Sequence, residues 1–322
     1  LDYSAYLAAN AVTVDIENGT ATNTGGISNI QTITGGAGSD TLIGLNSGHS
    51  WAITADNTGN DGVVTYSFTS IENLTGGTGV DSFAFANGVG LTGTLDGGSG
   101  ANTLDYSAYL AANAVTVDLG NSTATNTGGI LNIQTITGGA GSDTLIGLNT
   151  GQNWTITGNN AGNDGIYYFT GIENLTGGTG VDSFTLDDTF GLTGALDGGS
   201  GTDTLDYSGY AGAISITLDS TGTNNGFKGT TATNLGSFDN LNILTGSGNA
   251  GDTLIGLAAG GTFTIAGSGN TYVSTNTLDF SAIANLEGLG GADIFDIQTA
   301  FTGNLTGGAG DDIFKLTAAL TG

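Results

Sequence analysis

Apolar residues along the chain follow a two-residue alternation that is typical of β-strands. Leu42, Phe83 and Leu104 each lie in a short apolar segment, and a second apolar residue often follows two positions later, as at Phe85 and Tyr106. Since successive side chains of a strand point to opposite faces, this pattern predicts strands with one face turned inward. No stretch shows a sustained helical period with capping residues. We therefore expect an all-β protein.

The apolar positions keep a fixed distance from a glycine-rich turn that carries an aspartate. An apolar residue stands two positions before the first glycine, and another stands seven positions after it. Glycine allows backbone angles that other residues avoid, and it lets neighbouring backbone or a ligand approach closely. The turns are GGAGSD at 35–40 and 138–143, GGTGVD at 76–81 and 177–182, GGSGAN at 97–102, GGSGTD at 198–203, GNAGD at 248–252, GLGGAD at 288–293 and GGAGDD at 307–312.

Long internal repeats organise the whole chain. LDYSAY begins at Leu1 and again at Leu104, and LDYSGY follows at Leu205. The match extends through each unit, because SIENL and GIENL occur at equivalent places in the first two. Repetition at a fixed period is the signature of stacked architectures. The predicted units are 1–103, 104–204 and 205–322.

A shorter period of about 20 residues lies inside the long one. Asp81 and Asn102 are one such step apart, whereas Asp40 and Asp81 are two steps apart. GNDG at 59–62 falls in the middle of that double step, and GNDG at 162–165 fills the equivalent gap in the second unit. We interpret both as degenerate turns. Each unit is then five coils, and the chain holds about 15 coils of about 20 residues.

Coils with short strands, stacked in fixed register, predict a parallel β-solenoid. The rung length favours a right-handed β-helix. Residues 1–322 would form one continuous solenoid, a rod of about 70 Å if adjacent strands lie about 4.8 Å apart. The alternative is a set of β-sandwich domains of about 100 residues each, in which the finer 20-residue register would be a coincidence.

Charge narrows the range of partners. The chain has 322 residues with 29 acidic and 2 basic side chains, and its formal net charge is −27. Nucleic acid and anionic membranes are poor partners for such a chain, because binding them needs Lys and Arg. It contains no Cys, so disulfides cannot hold the fold together. No apolar run approaches the roughly 20 residues of a membrane span, so membrane insertion is not expected.

The glycine turns resemble the haemolysin-type calcium-binding repeat, the RTX nonapeptide G-G-x-G-x-D-x-U-x. GGAGSDTLI at 35–43, GGTGVDSFT at 177–185 and GGAGDDIFK at 307–315 match that pattern. The longer units are similar to those of giant bacterial secreted exoproteins and surface adhesins. The resemblance implies bound Ca²⁺ and an extracellular or cell-surface location. In that family the nonapeptides run in tandem, whereas here each coil carries one motif.

Neighbouring coils that both carry the motif are the candidate calcium sites. Stacked carboxylates about 4.8 Å apart repel each other, and Ca²⁺ accepts several carboxylate and carbonyl oxygens. The alternative is that each aspartate accepts hydrogen bonds from N–H groups of its own turn. The strongest pairs are Asp182 with Asp203 and Asp293 with Asp312, and Asn102 weakens the pair it forms with Asp81. The predicted metal ligands are Asp40, Asp81, Asp143, Asp182, Asp203, Asp293 and Asp312.

We interpret the chain as a structural segment of a large secreted or surface protein, serving as a stalk, spacer or assembly scaffold. The segment at 314–322 occupies the place of 205–213, so we expect end-to-end self-association of coils or continuation in a longer chain. The alternatives are an adhesin module that binds a glycan or surface, a surface-layer subunit, and a polysaccharide-cleaving β-helix enzyme. Catalysis is not expected, because every aspartate of the turns belongs to a repeating series.

Overall fold

The computed structural model of the chain describes residues 1–62, 65–187 and 189–317, and these residues form β-strands and turns without any helix. Most strands are short, with a buried central side chain between more exposed neighbours. The chain divides into two compact units, Leu1–Leu145 with Gly165–Ile172, and Ile146–Asp164 with Glu173–Gly322. The prediction of an all-β protein is confirmed.

The strands follow one another at short intervals along the whole described chain. The first group is β1 (Thr13–Asp15), β2 (Thr20–Ala21), β3 (Thr32–Thr34), β4 (Thr41–Ile43), β5 (Ser50–Ala55), β6 (Thr58–Asn60), β7 (Ser67–Thr69), β8 (Asn73–Thr75), β9 (Ser82–Phe85), β10 (Leu91–Asp96) and β11 (Thr103–Asp105). The second group is β12 (Thr116–Asp118), β13 (Thr123–Ala124), β14 (Thr127–Leu131), β15 (Thr135–Thr137), β16 (Thr144–Ile146), β17 (Asn153–Gly158), β18 (Ala161–Asn163), β19 (Tyr168–Thr170), β20 (Asn174–Thr176), β21 (Ser183–Asp187) and β22 (Leu192–Asp197). The third group is β23 (Thr204–Gly209), β24 (Ser215–Thr221), β25 (Phe227–Thr231), β26 (Leu235–Leu241), β27 (Ile243–Thr245), β28 (Thr253–Ile255), β29 (Thr262–Ala266), β30 (Gly269–Val273), β31 (Thr277–Ser281), β32 (Asn285–Glu287), β33 (Ile294–Ile297), β34 (Leu305–Thr306) and β35 (Ile313–Leu316).

In the first unit, strands from successive turns lie side by side and parallel. One sheet has the order β1, β4, β8, β10, β14, and β2 pairs antiparallel with β1 at its edge. Since every paired central residue is apolar and buried, a slip of one residue would turn the whole column outward, and burial therefore fixes the register. The column is Val14, Leu42, Leu74, Leu95 and Ile130.

The chain crosses repeatedly to a second parallel set in the same unit, β5, β9, β11, β15 and β19. Between β8 and β11 the strands alternate between the two sets, so Leu74 pairs with Leu95 and Phe83 pairs with Leu104. These partners are 21 residues apart, as the short sequence period predicts. The buried column of the second set is Trp51, Phe83, Leu104, Ile136 and Phe169.

An antiparallel meander interrupts this set. Strands β5, β6 and β7 are antiparallel to one another, and β7 also pairs parallel with β3 while β5 pairs parallel with β9. The connection between β5 and β6 is two residues long, and it includes Asn57 at a φ of 52°. Asparagine tolerates this left-handed region better than most residues. The chain therefore passes from β3 to β5 and leaves two strand positions open between them. Strands β6 and β7 then occupy those positions.

The second unit repeats the arrangement. One set is β17, β21, β23, β27, β31, and a further parallel set is β29, β33, β35, with the meander β29–β30–β31 joining the two. In the other sheet, β20, β22, β26 and β24, β28, β32, β34 are parallel sets, and the meander β24–β25–β26 joins them. Parallel sets linked by meanders are therefore common to both units.

The meanders change the spacing that the sequence predicts. Leu286 pairs with Leu305, 19 residues later, but Leu42 pairs with Leu74, 32 residues later, because the meander lies between them. The sequence predicts a degenerate turn at 59–62. In the structure, the first two residues of this segment belong to the antiparallel strand β6, and the strand ends there. The count of about 15 equal coils is therefore not confirmed. Continuity of one solenoid through the three repeats stays a prediction, and residues 318–322 of the predicted fourth repeat lie outside the described residues.

Candidate functional site

The aspartates of the glycine turns lie directly before strands of the parallel sets, and their side chains point into the protein. The relative exposure of Asp40, Asp81, Asp143, Asp182, Asp203 and Asp293 is 0%. Asp312 is half-buried. A charged side chain is almost never fully buried unless it is paired or hydrogen-bonded, so these carboxyls need partners in the interior.

In the turns of these seven aspartates, the first glycine lies against the carboxyl of its own aspartate. A Cβ atom built on Gly76 would lie 2.5 Å from Oδ2 of Asp81, and one built on Gly177 would lie 2.5 Å from Oδ2 of Asp182. Real Cβ atoms do not approach oxygen so closely, so any other residue would displace the carboxyl. The glycine is therefore required for close packing, whatever the carboxyl binds.

One oxygen of each carboxyl accepts a backbone N–H from a neighbouring turn. In the first unit, the N–H of His49 donates to Oδ1 of Asp81 at 2.7 Å, and the N–H of Asp81 donates to Oδ1 of Asn102 at 2.9 Å. The N–H of Asn102 then donates to Oε1 of Gln134 at 2.8 Å. We call this series of hydrogen bonds the turn ladder.

The turn ladder recurs in the second unit. The N–H of Gln152 donates to Oδ1 of Asp182 at 2.7 Å, that of Asp182 donates to Oδ1 of Asp203 at 2.9 Å, and that of Asp203 donates to Oδ1 of Asn242 at 3.1 Å. Asp293 likewise donates its N–H to Oδ1 of Asp312 at 3.0 Å. The structure thus brings together both aspartate pairs that the sequence singled out, through a backbone-to-side-chain hydrogen bond.

The second oxygen, Oδ2, has two kinds of environment. At Asp40 and Asp143 it accepts an N–H from the second glycine of the same turn, Gly36 and Gly139 respectively, at 2.6 Å in the latter case. These two turns match the alternative in which the aspartate caps its own turn. Their other oxygen, Oδ1, accepts the N–H of Val12 or Val115, both at 2.7 Å, so both oxygens are satisfied.

At four other turns Oδ2 is buried and has no hydrogen-bond partner among the described residues. In each of these turns the second residue has a positive φ, for example 127° at Gly77 and 114° at Gly178, whereas Gly36 and Gly139 do not. The altered backbone is accompanied by loss of the N–H that satisfies Oδ2 at Asp40 and Asp143. The four residues are Asp81, Asp182, Asp203 and Asp293.

Burial changes the acidity of these four carboxyls. Desolvation raises the pKa of Asp81, Asp182 and Asp293, and the N–H groups that donate to them oppose the shift. At Asp203 desolvation raises the pKa to about 6, the N–H of Asp182 opposes it, and the charges of Asp182 and Asp197 add to it. These carboxyls therefore hold a proton at a pH at which an exposed aspartate has lost it.

At each of these four turns the described residues bring few oxygen ligands together. Ca²⁺ takes six to eight oxygen ligands, and the buried Oδ2 of each carboxyl lies near the same glycine as one carbonyl oxygen of the next turn. Within residues 1–62, 65–187 and 189–317, no group of three or more His, Cys, Asp or Glu side chains is placed to hold a metal ion. Calcium binding at these turns therefore stays a prediction.

Sequence reasoning missed several acceptors of the turn ladder. Glu72 accepts the N–H of Asp40 at 2.8 Å through Oε2, and Gln134 and Asn242 accept at turns that lack the glycine motif. One sequence signal for these acceptors was available. Gln31 and Gln134 occupy equivalent places in the first two repeats, each two residues before a buried isoleucine. Their partners lie more than 30 residues away, so the 20-residue period could not reveal them.

No protein-family model matches the chain, and no curated protein matches it closely enough to be reported as a relative. The likeness to haemolysin-type repeats therefore stays a resemblance of motifs. In the part of the chain that the structure describes, no helix has the length and apolar character that a membrane crossing requires.

Proposed function

We propose that this chain is a rigid structural segment, a stalk, spacer or assembly scaffold, of a large secreted or cell-surface bacterial protein. The observation that carries the proposal is the turn ladder, in which buried side chains hold successive turns at a fixed register. Such hydrogen bonds contribute about 0.5–1.5 kcal/mol each, and those to ionised groups contribute more. A series of them resists sliding of one turn past the next.

The fold that fits this function is a parallel β-solenoid with a right-handed path. The buried columns within each unit support it, because like residues stack on like along the parallel sets. Neighbouring repeats would then add length without changing the cross-section. The net charge of −27 disfavours side-by-side association of such segments and their approach to anionic surfaces.

Strand β35 supports end-to-end stacking as part of the proposal. Phe263, Phe295 and Phe314 form a column of rings with centroids 5.0 and 4.8 Å apart and nearly parallel planes. Phe314 is 45% exposed, whereas Phe295 is fully buried. An exposed strand edge beside an apolar column is suited to pairing with another coil, either of a second copy or of further chain.

Small-angle X-ray scattering on nested chains tests the solenoid and spacer function. We expect a rod whose maximum dimension falls by about a third when one complete repeat of the three is removed, since length scales with repeat number. The cross-sectional radius of gyration should stay constant. Compact particles whose three dimensions all shrink together would contradict the proposal and favour separate globular domains.

A groove that occurs in both units favours glycan binding as a second candidate function. In the first unit Leu91, Thr92, Asn126 and Gly128 line it, where β10 and β14 shift register. In the second unit the equivalent groove is lined by Leu192, Thr193, Asn234 and Gly236, where β22 and β26 shift register. Both present hydroxyl, amide and backbone groups that can hydrogen-bond a sugar.

Titration calorimetry with a set of soluble polysaccharides tests this candidate. Glycan binding should weaken when Thr92 and Thr193 are both changed to Val, which removes one hydroxyl from each groove and keeps the side-chain shape. Ser4→Ala, at an exposed site away from both grooves, is the control. Equal binding by the double variant and the control would argue against the grooves as the site.

A further inference from the structure

Each compact unit contains the same contact between two parallel strands. β10 pairs with β14 in the first unit, β22 pairs with β26 in the second, and each pair has one register shift. In the first unit Leu95 and Ile130 face each other at the centre of the contact, and both are buried. The N–H of Gly97 donates to the carbonyl oxygen of Leu131 at 2.9 Å. We call this contact the strand joint.

The segment 23–29 has the backbone conformation of the β14 side of the strand joint. Asn23 and Asn29 have φ angles of 56° and 54°. The same angles occur at Asn126 and Asn132, the residues that flank β14. No strand of the described chain pairs with this segment. One half of the joint is therefore preformed, and its place for a neighbouring strand is open.

The segment 301–307, which contains β34, has the other half of the joint. Its sequence FTGNLTG aligns with LTGTLDG at 91–97 and LTGALDG at 192–198. β34 pairs parallel with β32 as β10 does with β8. The N–H of Asn304 donates to Oδ1 of Asn285 at 3.1 Å, and the equivalent bond is present in β10. Among the described strands, none lies on the outer edge of β34.

Both segments are less buried than their counterparts in the joint. Leu305 and Ile27 are half-buried, whereas Leu95 and Ile130 in the equivalent places are 0% and 4% exposed. The N–H of Gly307 has no acceptor among the described residues, although the equivalent N–H of the joint donates to β14. Covering these edges removes apolar surface from water and completes a backbone hydrogen bond.

We propose that the segment 301–307 of one copy of this chain pairs with the segment 23–29 of a second copy and forms a strand joint between them. The inference rests on the proposed function, because it names the contact through which scaffold segments stack. The occupant is a second copy because the chain carries both halves of the contact, and each unit shows how the halves fit. The expected facing residues are Leu305 with Ile27 and Thr306 with Ser28.

The distribution of charge is compatible with this contact. The net charge is −27, so two copies repel each other overall. However, neither 23–29 nor 301–307 contains an acidic residue. Thr306 stands where the joints within the molecule have Asp96 and Asp197. Like charges of the two segments therefore do not face each other across the contact.

The contact brings two strands to one position. Residues 1–3 of one copy lie beside β3 through the bridge between Asp2 and Thr34, in the place that β11 has beside β15. β35 of the other copy has the same place, because 314–316 aligns with 104–106. β35 pairs with β33 over four residues, against a single bridge for residues 1–3. We therefore expect β35 to stay and residues 1–3 to be displaced.

Disulfide trapping tests the register, since the chain has no Cys of its own. Chains with Ser28→Cys are mixed with ¹⁵N-labelled chains with Thr306→Cys, oxidised and analysed by mass spectrometry. Facing residues of neighbouring strands are about 4.8 Å apart, and a disulfide spans about 4.4–6.8 Å between Cα atoms. We expect mixed dimers to predominate over homodimers of either variant.

Two control pairs calibrate the trapping. Asp96→Cys with Leu131→Cys in one chain should close within the chain, because these residues face each other in the joint. Thr306→Cys mixed with Asp219→Cys, an exposed site in β24, measures random collision. If the first control closes and the Ser28 and Thr306 variants give mixed dimers only at the collision level, the proposal is overturned.

Thr306→Asp gives a second test, in which the expected effect is opposite to that of charge repulsion. In the joint, Nδ2 of Asn132 donates to Oδ1 of Asp96 at 2.7 Å, and Asn29 has the place of Asn132. The new carboxylate should accept from Asn29 of the second copy and strengthen association about tenfold in sedimentation equilibrium. Thr302→Asp adds the same charge four residues earlier and should weaken association. Weaker association in both variants would contradict the register.

Hydrogen exchange tests the displaced strand, and scattering separates the joint from the spacer function. In a single copy the N–H of Tyr3 donates to the carbonyl oxygen of Thr34 at 2.8 Å. On association it should exchange faster, and the N–H of Gly307 should exchange more slowly. Associated copies in which neither rate changes would overturn the joint. Single chains that scatter as rods but give no mixed disulfides would reject the joint and leave the spacer function standing.

Discussion

At the scale of single residues, the glycine turn is required for packing, whether or not it binds a ligand. The aspartate side chain reaches across to the neighbouring turn, and the first glycine leaves room for it. This explains why the motif tolerates Asn102, whose amide has the same shape, at a position where a metal ligand would lose its charge. The motif therefore reports the packing of a turn more directly than it reports calcium.

Gly76→Ala tests this view of the first glycine. The added methyl would lie 2.5 Å from Oδ2 of Asp81 and 2.7 Å from the carbonyl oxygen of Gly97, so the turn must shift. We expect a loss of about 1–3 kcal/mol in the free energy of unfolding, the range typical of overpacking. Chemical denaturation measures it.

Gly25→Ala is the control for that variant, because no atom lies within 4 Å of the Cβ position at this site. Its effect on the free energy of unfolding should be small, within about 0.5 kcal/mol. Equal losses at the two sites would mean that backbone flexibility, and not contact with the carboxyl, explains the need for glycine at position 76.

At the scale of elements, much of the strand pattern could be predicted. Leu74 with Leu95 and Phe83 with Leu104 pair across one plain turn, and the sequence period shows that spacing directly. The meander around β6 could not be predicted. The segment from Gly59 to Gly62 resembles the turn motif. The only buried residue of β6 is Gly59, so the strand shows no apolar alternation in the sequence.

The 20-residue sequence period could not predict the long-range hydrogen-bond acceptors either. Gln134 and Asn242 meet their partners only because a hairpin or meander lengthens the intervening chain, and the length of such an insertion follows from tertiary pairing. The burial of the carboxyls was missed for a related reason. Sequence shows a column of aspartates, but only the structure shows that each one reaches a neighbouring N–H in the interior.

The Asn57 turn is the place to test the meander. Asn57 combines a φ of 52° with hydrogen bonds from its amide to Glu72 and Thr92. Asn57→Ala loses these bonds and strains the backbone, and we expect it to destabilise the protein by about 2–3 kcal/mol. Amide hydrogen exchange should show the greatest loss of protection in β5, β6 and β7.

Asn57→Gly separates the two contributions, because glycine accepts the positive φ at no steric cost while the hydrogen bonds are still lost. This variant should retain more stability than Asn57→Ala. If the two behave alike, the side-chain hydrogen bonds alone hold the turn, and the backbone conformation contributes nothing measurable.

At the scale of the whole molecule, the four buried carboxyls and the net charge act in the same direction with pH. The pKa of each of the four is raised in the folded state, to about 6 at Asp203, and an unfolded aspartate titrates near 3.8. The folded protein therefore binds more protons between these values. Stability should be greatest near pH 4 and should fall as pH rises through about 6.

Urea denaturation between pH 4 and pH 8 measures this dependence. We expect the midpoint to decrease with pH up to about 6.5 and then to level off, and added NaCl to raise the upper plateau by screening repulsion among acidic groups. The double variant Asp182→Asn with Asp203→Asn should show a shallower pH dependence. A midpoint that increases with pH over this range would contradict the sign of the pKa shifts.

The meanders have a consequence for how the chain acquires its structure. Strand β5 pairs with β9, which follows it, but its place relative to β3 is fixed only after β6 and β7 have formed between them. Growth from one end cannot therefore proceed turn by turn, as in a simple repeat array. Each meander must close as a whole before the next strands have a complete template. We expect the array to be acquired in cooperative blocks bounded by meanders, so that a chain emerging during synthesis passes through a few long pauses and not many short ones.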